Sequence, residues 1–262
     1  MHSTGGSRAA LVVGHPGHEL RVYGWLARTR PVVHVLTDGS GGNGASRLAS
    51  TSALLEDIGA SRGSIYGRMT DREVYAAMLA GDHSRFIALA EELAAALLHT
   101  AVDLVAGDAI EGFNPSHDVC RYVINAAVRL ASAASGRAIG CYAFPLDAAP
   151  EPCRTGVHAG ALRVCLDDQL LDRKLQAAHA YVELQPEVQR ALAQYGTEPF
   201  RSEYLCPVDL TDPYGWDLER VPSYESYGAQ RVRTGAYDEV VTFREHVRPL
   251  ADALWCRSAV TA

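Results

Sequence analysis

The chain has 262 residues, a formal net charge of −7, 48% hydrophobic residues and 21% charged residues. This composition is typical of a folded globular protein and excludes a disordered chain, while the negative charge argues against a nucleic-acid-binding surface. The length predicts one domain, or one domain with an elaborated C-terminal third. No run approaches the ~18–20 apolar residues of a membrane span.

The N-terminal residues lack the apolar segment of a secretory signal, and the six cysteines form no CxxC pair. We therefore expect a cytoplasmic protein whose cysteines are free thiols. Lys174 is the only lysine, and the Ala-, Arg- and Gly-rich composition is typical of a bacterial protein.

Apolar, β-branched runs alternate with helical patterns through the first half of the chain. Strands are predicted at Ala9–Val13, Val32–Leu36, Asp103–Ala106 and Ala138–Phe144. Helices are predicted over Glu19–Arg28, Arg47–Ile58, His83–Leu98 and Asp118–Ala133. This alternation predicts an α/β fold with a mostly parallel, Rossmann-like sheet and helices on both faces.

The amino-acid composition changes from Pro145 onward, where proline, glycine and aromatic residues become frequent. Helices are still predicted over Asp167–Val182 and Val240–Leu254. We expect a single domain over residues 1–262, with a core at about 9–205. The C-terminal third from Pro145 is predicted to form an irregular cover over the active edge of the sheet, and its extension 206–262 to pack on the core.

Three histidines follow two of the predicted strands. His15 and His18 are three residues apart in the turn after the first strand, and His117 follows the third. Because ligands bind at the carboxyl ends of strands in parallel sheets, we expect the three imidazoles to converge. Such a set suits Zn²⁺, and also Fe²⁺, Mn²⁺ or Ni²⁺, with Asp118 or Glu19 orienting one ligand. The alternative is that each histidine is only a polar loop residue.

The remaining histidines are weaker candidates. His34 lies inside a predicted strand and is expected to be structural. His158, in a glycine-flanked segment, and His179, on a predicted helix, are candidates for substrate contact. The glycine-rich loop 39–44 lacks the spacing of a nucleotide-binding loop.

The segment Gly14–Glu19, GHPGHE, resembles the AHPDDE motif of the PIG-L/LmbE-like metal-dependent N-deacetylases. Residues 37–42 (TDGSGG) and 111–118 (EGFNPSHD) are similar to the TDG-x-GG and EGGHPDHD motifs of that family, with weaker similarity at Lys174–Gln185 and Phe200–Glu203. The resemblance runs in order over about residues 9–205. It implies a metal-dependent hydrolase that acts on an amide or N-acyl bond of a small polar molecule, such as an amino-sugar derivative.

The resemblance implies His15, His18 and His117 as the metal ligands, with His18 standing where the family has an aspartate. This exchange makes the ligand set one charge less negative, so a bound water should ionise more readily. Gly17 stands where the family has its general base, and glycine cannot accept a proton. Losing such a base should cost ~10²–10⁴-fold in rate.

Asp38 or Glu19 is the expected substitute base, and Asp108, Glu111 and His18 itself are further candidates. Asn114 stands where the family has its second-motif histidine. It is expected to donate a hydrogen bond to an oxyanion, but it cannot carry protons near neutral pH.

Two other functions stay open. One is a metal-dependent biosynthetic enzyme that is not a hydrolase, such as a lyase, an isomerase or an oxygenase-like enzyme. The other is a non-catalytic binding protein on a hydrolase fold that has lost its chemistry. In each case we expect a small-molecule partner, no nucleic acid and no membrane, and a homo-oligomer is compatible with the sequence.

Overall fold

The computed structural model of the chain describes residues 8–41, 44–147 and 160–259. Its strands are β1 Ala9–Val13, β2 Val32–Thr37, β3 Ser61–Met69, β4 Leu104–Asp108, β5 Gly140–Phe144, β6 Leu162–Cys165 and β7 Ser202–Pro207. They form one sheet in the order β3-β2-β1-β4-β5-β7-β6. The first five strands are parallel, β7 is antiparallel to β5, and β6 is antiparallel to β7. The predicted mostly parallel α/β sheet is confirmed.

Helices cover both faces of this sheet, as predicted. They are α1 Tyr23–Thr29, α2 Leu48–Ile58, α3 Asp71–Leu79, α4 His83–His99, α5 Pro115–Ser135, α6 Asp168–Ala180, α7 Gln185–Tyr195, α8 Ser223–Arg233 and α9 Arg248–Ala259. Short 3₁₀ segments occur at His18–Val22, Val182–Leu184 and Glu198–Arg201, and a π-helical turn at Phe243–Val247. One apolar cluster includes α3, α4, α5 and α9, and the opposite cluster includes α1, α2 and α6. None of the helices in the described ranges is long and apolar enough to span a membrane.

The central strand β1 shows why the sheet is layered in this way. All five of its residues are buried. Ala10 and Val12 belong to one apolar cluster, whereas Leu11 and Val13 belong to the other. Because successive side chains of a strand point to opposite faces, a strand covered on both sides must be apolar throughout.

Among the elements that the sequence analysis did not predict are the edge strand β3 and the helix α3. The edge strand β3 carries Gly63 and Gly67 and buries only two of its side chains, those of Ile65 and Met69. Its pairing with β2 contains register shifts. Apolar and polar residues therefore do not alternate regularly along this strand. The helix α3 that follows begins with a capping box between Thr70 and Glu73.

The C-terminal part is more regular than expected. The strands β6 and β7 lie within the predicted cover and extend the sheet. The predicted boundary between the core and the extension, at residues 205 and 206, falls inside β7. The helix α9 packs against α4 and α5. That residues 1–262 form a single domain stays a prediction.

The expectation of free cysteines holds at four residues, Cys120, Cys141, Cys165 and Cys256. Cys206 is disulfide-bonded, so the expectation is wrong there. The absence of a CxxC pair does not exclude a disulfide between cysteines that are distant in the sequence.

A buried ion pair joins three elements on one face of the sheet. Glu203 of β7 is 2% exposed and accepts hydrogen bonds from Gly24 N and Trp25 N at the start of α1, both at 2.8 Å. Lys174 of α6 donates to Glu203 Oε1 at 2.8 Å and to Arg21 O at 3.1 Å. Burial lowers the pKa of Lys174, and the Glu203 carboxylate opposes that shift.

Replacing Glu203 with alanine should therefore lower the free energy of unfolding by about 3–5 kcal/mol, because the lysine ammonium stays buried without its partner. Denaturant unfolding measures this loss. The control is Glu91→Ala, which removes an exposed carboxylate paired with Arg257 and should cost less than about 1 kcal/mol. Equal, small losses in the two variants would contradict a structural role for the buried pair.

His34 of β2 is buried, as expected, and packs on Gly63 of β3. Its side chain is 1% exposed in the folded chain, and its Nε2 has no hydrogen-bond partner among the described residues. A Cβ at Gly63 would lie 2.4 Å from the ring. Burial lowers the pKa of His34 to about 4, from an ordinary value of 6.5.

Stability should therefore fall as the pH is lowered from about 6.5 to about 4. In this window the unfolded chain protonates His34 and the folded chain does not, so protons favour unfolding, by up to about 3 kcal/mol. A His34→Leu variant should lose less stability over the same window, because it has no imidazole to protonate. Urea unfolding of both proteins at several pH values measures the difference, and parallel pH profiles would show that His34 does not titrate in this way.

Candidate functional site

The candidate site lies where the strand order reverses. From β1 the chain continues to β2 on one side, whereas β4 pairs with β1 on the other side. Open α/β sheets bind ligands beyond the carboxyl ends of the strands at such a point. Gly14 follows β1 and Asp108 ends β4, and the Gly14 amide donates to Asp108 Oδ2 at 2.7 Å. This bond ties the two strand ends together.

The three predicted histidines lie together at this edge. The His15 ring centroid is 5.2 Å from that of His18 and 4.9 Å from that of His117, and the last two are 4.6 Å apart. His15 follows β1, His18 begins the 3₁₀ segment, and His117 lies in the first turn of α5. Residues from two distant turns thus form one cluster, which we call the histidine cluster.

His15 is held at both ring nitrogens. Its Nδ1 lies 2.7 Å from Thr37 Oγ1 and 2.9 Å from Asp71 Oδ1, and its Nε2 lies 2.8 Å from Ser116 Oγ. All four side chains are buried. Because Asp71 and Thr37 fix Nδ1, Nε2 is the nitrogen that faces the start of α5, and it must leave Ser116 before it can bind anything else.

His18 and His117 are held less tightly than His15. His18 Nδ1 lies 2.8 Å from Asp108 Oδ2, whereas no other described residue hydrogen-bonds to the ring of His117. Burial lowers the pKa of both imidazoles, and the positive charge of Arg47 adds to this effect. For His18 the Asp108 carboxylate opposes the shift. Both rings are therefore neutral at pH 7 and keep a lone pair.

The chemistry of this donor set fits a divalent cation. Three imidazoles suit Zn²⁺, and also Fe²⁺, Mn²⁺ or Ni²⁺. Asp108 Oδ1 is buried and accepts no hydrogen bond from a described residue, and the buried Asp71 Oδ1 lies 2.9 Å from His15 Nδ1. Such carboxylates are costly unless positive charge lies near them. As the side chains stand, no group of three or more His, Cys, Asp or Glu residues in the described ranges can hold a metal ion, so the rings must reorient to do so.

Neither predicted substitute base contacts the histidine cluster. Glu19 is fully buried and accepts hydrogen bonds from Gly17 N at 2.7 Å and from Thr51 Oγ1 at 2.8 Å. Burial raises its pKa to about 7, but both oxygens are used in holding the turn. Asp38 accepts from the amide and the hydroxyl of Ser40. The geometry gives both residues structural roles.

Asn114 is the N-cap residue of α5. Its Oδ1 accepts from Ser116 N at 3.0 Å, from Ser116 Oγ at 2.8 Å and from Tyr75 Oη at 3.1 Å. These three donors fix the orientation of the amide. The Nδ2 group is then the end that can donate a hydrogen bond to a bound molecule.

The prediction that Asp118 or Glu19 orients a ligand histidine is wrong. Asp118 accepts from the amides of Glu111 and Gly112 and so holds the loop before α5. Burial raises its pKa to about 7. The carboxylates that contact imidazoles are Asp71 and Asp108.

The sequence analysis named one of these two carboxylates and not the other. It named Asp108, but only as a candidate for the substitute base. Asp71 was missed because it opens α3, which follows the unrecognised edge strand β3. Of the weaker candidates, His179 lies exposed on α6, and His158 lies outside the described residues.

An apolar side chain fills the space beside Gly17. A Cβ built on Gly17 would lie 2.2 Å from Leu184 Cδ1, and the backbone φ there is +106°. The segment that carries Leu184 is fastened to α2, since Glu183 accepts from Ser50 Oγ and Tyr181 Oη lies 2.8 Å from Thr51 Oγ1. A side chain at residue 17 is therefore excluded by both backbone conformation and packing.

Neither a protein-family model nor a curated protein sequence matches this chain. Several solved structures do resemble it. The conserved protein TT1542 from Thermus thermophilus is 17% identical, with a TM-score of 0.55 over 80% of this chain and 99% of that one. The zinc-inhibited form of teicoplanin deacetylase Orf2 is 12% identical, with a TM-score of 0.54 over 78% of this chain and 99% of that one.

A third similar structure is the A40926 pseudoaglycone deacetylase Dbv21. It is 18% identical, with a TM-score of 0.52 over 81% of this chain and 100% of that one. At these identities the likeness establishes the fold. The chain has the α/β fold of these deacetylases, and its site residues must be judged on their own geometry.

The packing at Gly17 predicts a coupling with Leu184. Gly17→Ala should cost about 1–3 kcal/mol, because the positive φ and the contact with Leu184 both oppose a side chain. In a Leu184→Ala background the same change should cost less, since the contact is gone. Gly136→Ala, at a positive φ with open space around it, is the control for the backbone effect alone. Equal costs of Gly17→Ala in the two backgrounds, measured by urea unfolding, would contradict the contact.

Proposed function

We propose that the protein is a metal-dependent hydrolase that acts on a C–N bond, of amide or N-acyl type, in a small polar molecule. His15, His18 and His117 would hold the ion, which is Zn²⁺ or, alternatively, Fe²⁺, Mn²⁺ or Ni²⁺. The observation that carries the proposal is the histidine cluster itself. Its rings lie within 4.6–5.2 Å of one another at the reversal of strand order, on a fold that deacetylases share.

The charges around the cluster support a cation rather than an anion. Asp71 lies against His15 and Asp108 against His18, each within 2.9 Å. Both carboxylates are buried, at 7% and 0% exposure. Imidazoles between two buried carboxylates form a site whose negative charge a divalent ion would balance.

A cation held by three neutral imidazoles supplies a Lewis acid and a water that ionises near neutral pH. The protein's own residues then have to bind and orient the substrate. Asn114 would donate from Nδ2 to a substrate oxygen, because its Oδ1 already accepts hydrogen bonds from Ser116 and Tyr75. Gly17 and Leu184 leave no proton acceptor at the place where the resemblance puts the base.

This arrangement also favours a second candidate function, a metal-dependent enzyme that is not a hydrolase. The specific observation is Leu184, which fills the space beside Gly17 with an apolar group. A lyase or isomerase that must exclude water would gain from such packing. The two candidates differ in product: only the hydrolase releases an acid and an amine from an N-acyl compound.

Changing His15 or His117 to alanine should remove both bound metal and turnover. Metal content is measured by elemental analysis, and turnover by amine release from a panel of N-acetylated amino sugars. Because zinc inhibits one structural neighbour, each protein is assayed with Zn²⁺, Fe²⁺, Mn²⁺ and Ni²⁺ in turn. His179→Ala, which changes an exposed histidine on α6, is the control and should keep both properties. Full activity of the metal-free wild type would contradict the proposal.

A further inference from the structure

The carboxylate of Asp108 contacts both the backbone and an imidazole of the turn after β1. Asp108 is the last residue of β4 and is 0% exposed. Its Oδ2 accepts from Gly14 N at 2.7 Å and lies 2.8 Å from His18 Nδ1. The carboxylate is thus held by the backbone of one strand and directed at an imidazole that leaves the end of the same strand.

A buried cation lies behind this carboxylate. Arg121 of α5 is 1% exposed and donates from Nε to the backbone oxygen of Asp108 and from Nη2 to Tyr142 O at 3.1 Å. Arginine keeps its charge in proteins. The buried guanidinium therefore lies close enough to Asp108 to interact with its negative charge.

This contact determines which nitrogen of His18 is available. A carboxylate accepts hydrogen bonds and cannot donate them, so His18 Nδ1 carries the proton and Nε2 carries the lone pair. The His18 side chain is 14% exposed, whereas Asp108 is fully enclosed. The imidazole thus contacts the carboxylate at Nδ1 and lies beside the rings of His15 and His117.

We propose that Asp108 is the positioning residue of His18: it fixes the tautomer and the ring orientation, and it supplies to the ligand the negative charge that an aspartate at residue 18 would have supplied directly. The inference rests on the proposed function, since it assigns a role within that metal site. With histidine at residue 18, the carboxylate nearest this ligand is that of Asp108, which contacts the imidazole and not the ion. The groups that would contact the ion are then three imidazoles.

The test uses Zn²⁺ alone as the probe and the full chain as the protein. Zinc affinity is measured by competition with a chromophoric chelator for the wild type, Asp108→Asn, His18→Ala and the double variant. Asp108→Asn should weaken binding by about 10–100-fold, and it should have little further effect once His18 is alanine. Asp103→Asn is the matched control: it changes an exposed aspartate just before the same strand, paired with Arg137, and should leave the affinity unchanged.

A second measurement separates positioning from a general loss of structure. The ¹⁵N shifts of the His18 ring report which nitrogen is protonated, and they can be recorded without metal. The wild type should show the Nδ1–H form, and Asp108→Asn should show a mixture with the Nε2–H form while thermal unfolding stays cooperative. Unchanged affinity and tautomer in Asp108→Asn would overturn this inference and leave the proposed function standing. If the wild type binds none of Zn²⁺, Fe²⁺, Mn²⁺ and Ni²⁺, the proposed function is overturned, and this inference with it.

Discussion

The contact between Asp108 and the turn after β1 determines the geometry of the whole site. Its carboxylate accepts from Gly14 N and contacts His18, so it joins the end of β4 to the end of β1. His15 lies between these two residues in the chain and is placed by the same turn. The start of α5, which brings His117, is fixed to β4 by the Arg121 contact with the Asp108 backbone. Asp108 thus contacts both of the segments that carry the three imidazoles.

Placing this contact at the strand ends has consequences for charge. Acidic side chains stand directly behind His15 and His18, and both are buried. A protein that only needed stability at this edge could use apolar residues of similar volume, because buried charges are costly. The presence of such groups beside the imidazoles is understandable if the edge binds a cation. By contrast, the space beside Gly17 is apolar, filled by Leu184. The site thus has imidazoles and buried carboxylates that suit a cation, but it has no proton acceptor at residue 17.

The sequence predicted the parts of this arrangement that depend on local pattern. The apolar run of β1 and the turn after it placed His15 and His18 at a strand end, and the next clear strand and helix placed His117 near them. It did not predict Asp71, because β3 is an edge strand with two glycines and only two buried side chains. It assigned Glu19 and Asp38 to catalysis, because residue type does not reveal where a side chain points. Leu184 could not be predicted at all, since its contact with Gly17 depends on tertiary packing between remote segments.

The central claim is that His15, His18 and His117 bind one divalent ion together, and a zinc titration followed by ¹⁵N NMR of the histidine rings tests it most directly. The account predicts saturation at about one zinc per chain, with the ring nitrogens of these three residues shifting together. The rings of His34, which is buried in the sheet, and His179, which is exposed on α6, should not respond. Saturation without a response from His15 and His117, or no saturable binding, would contradict the account.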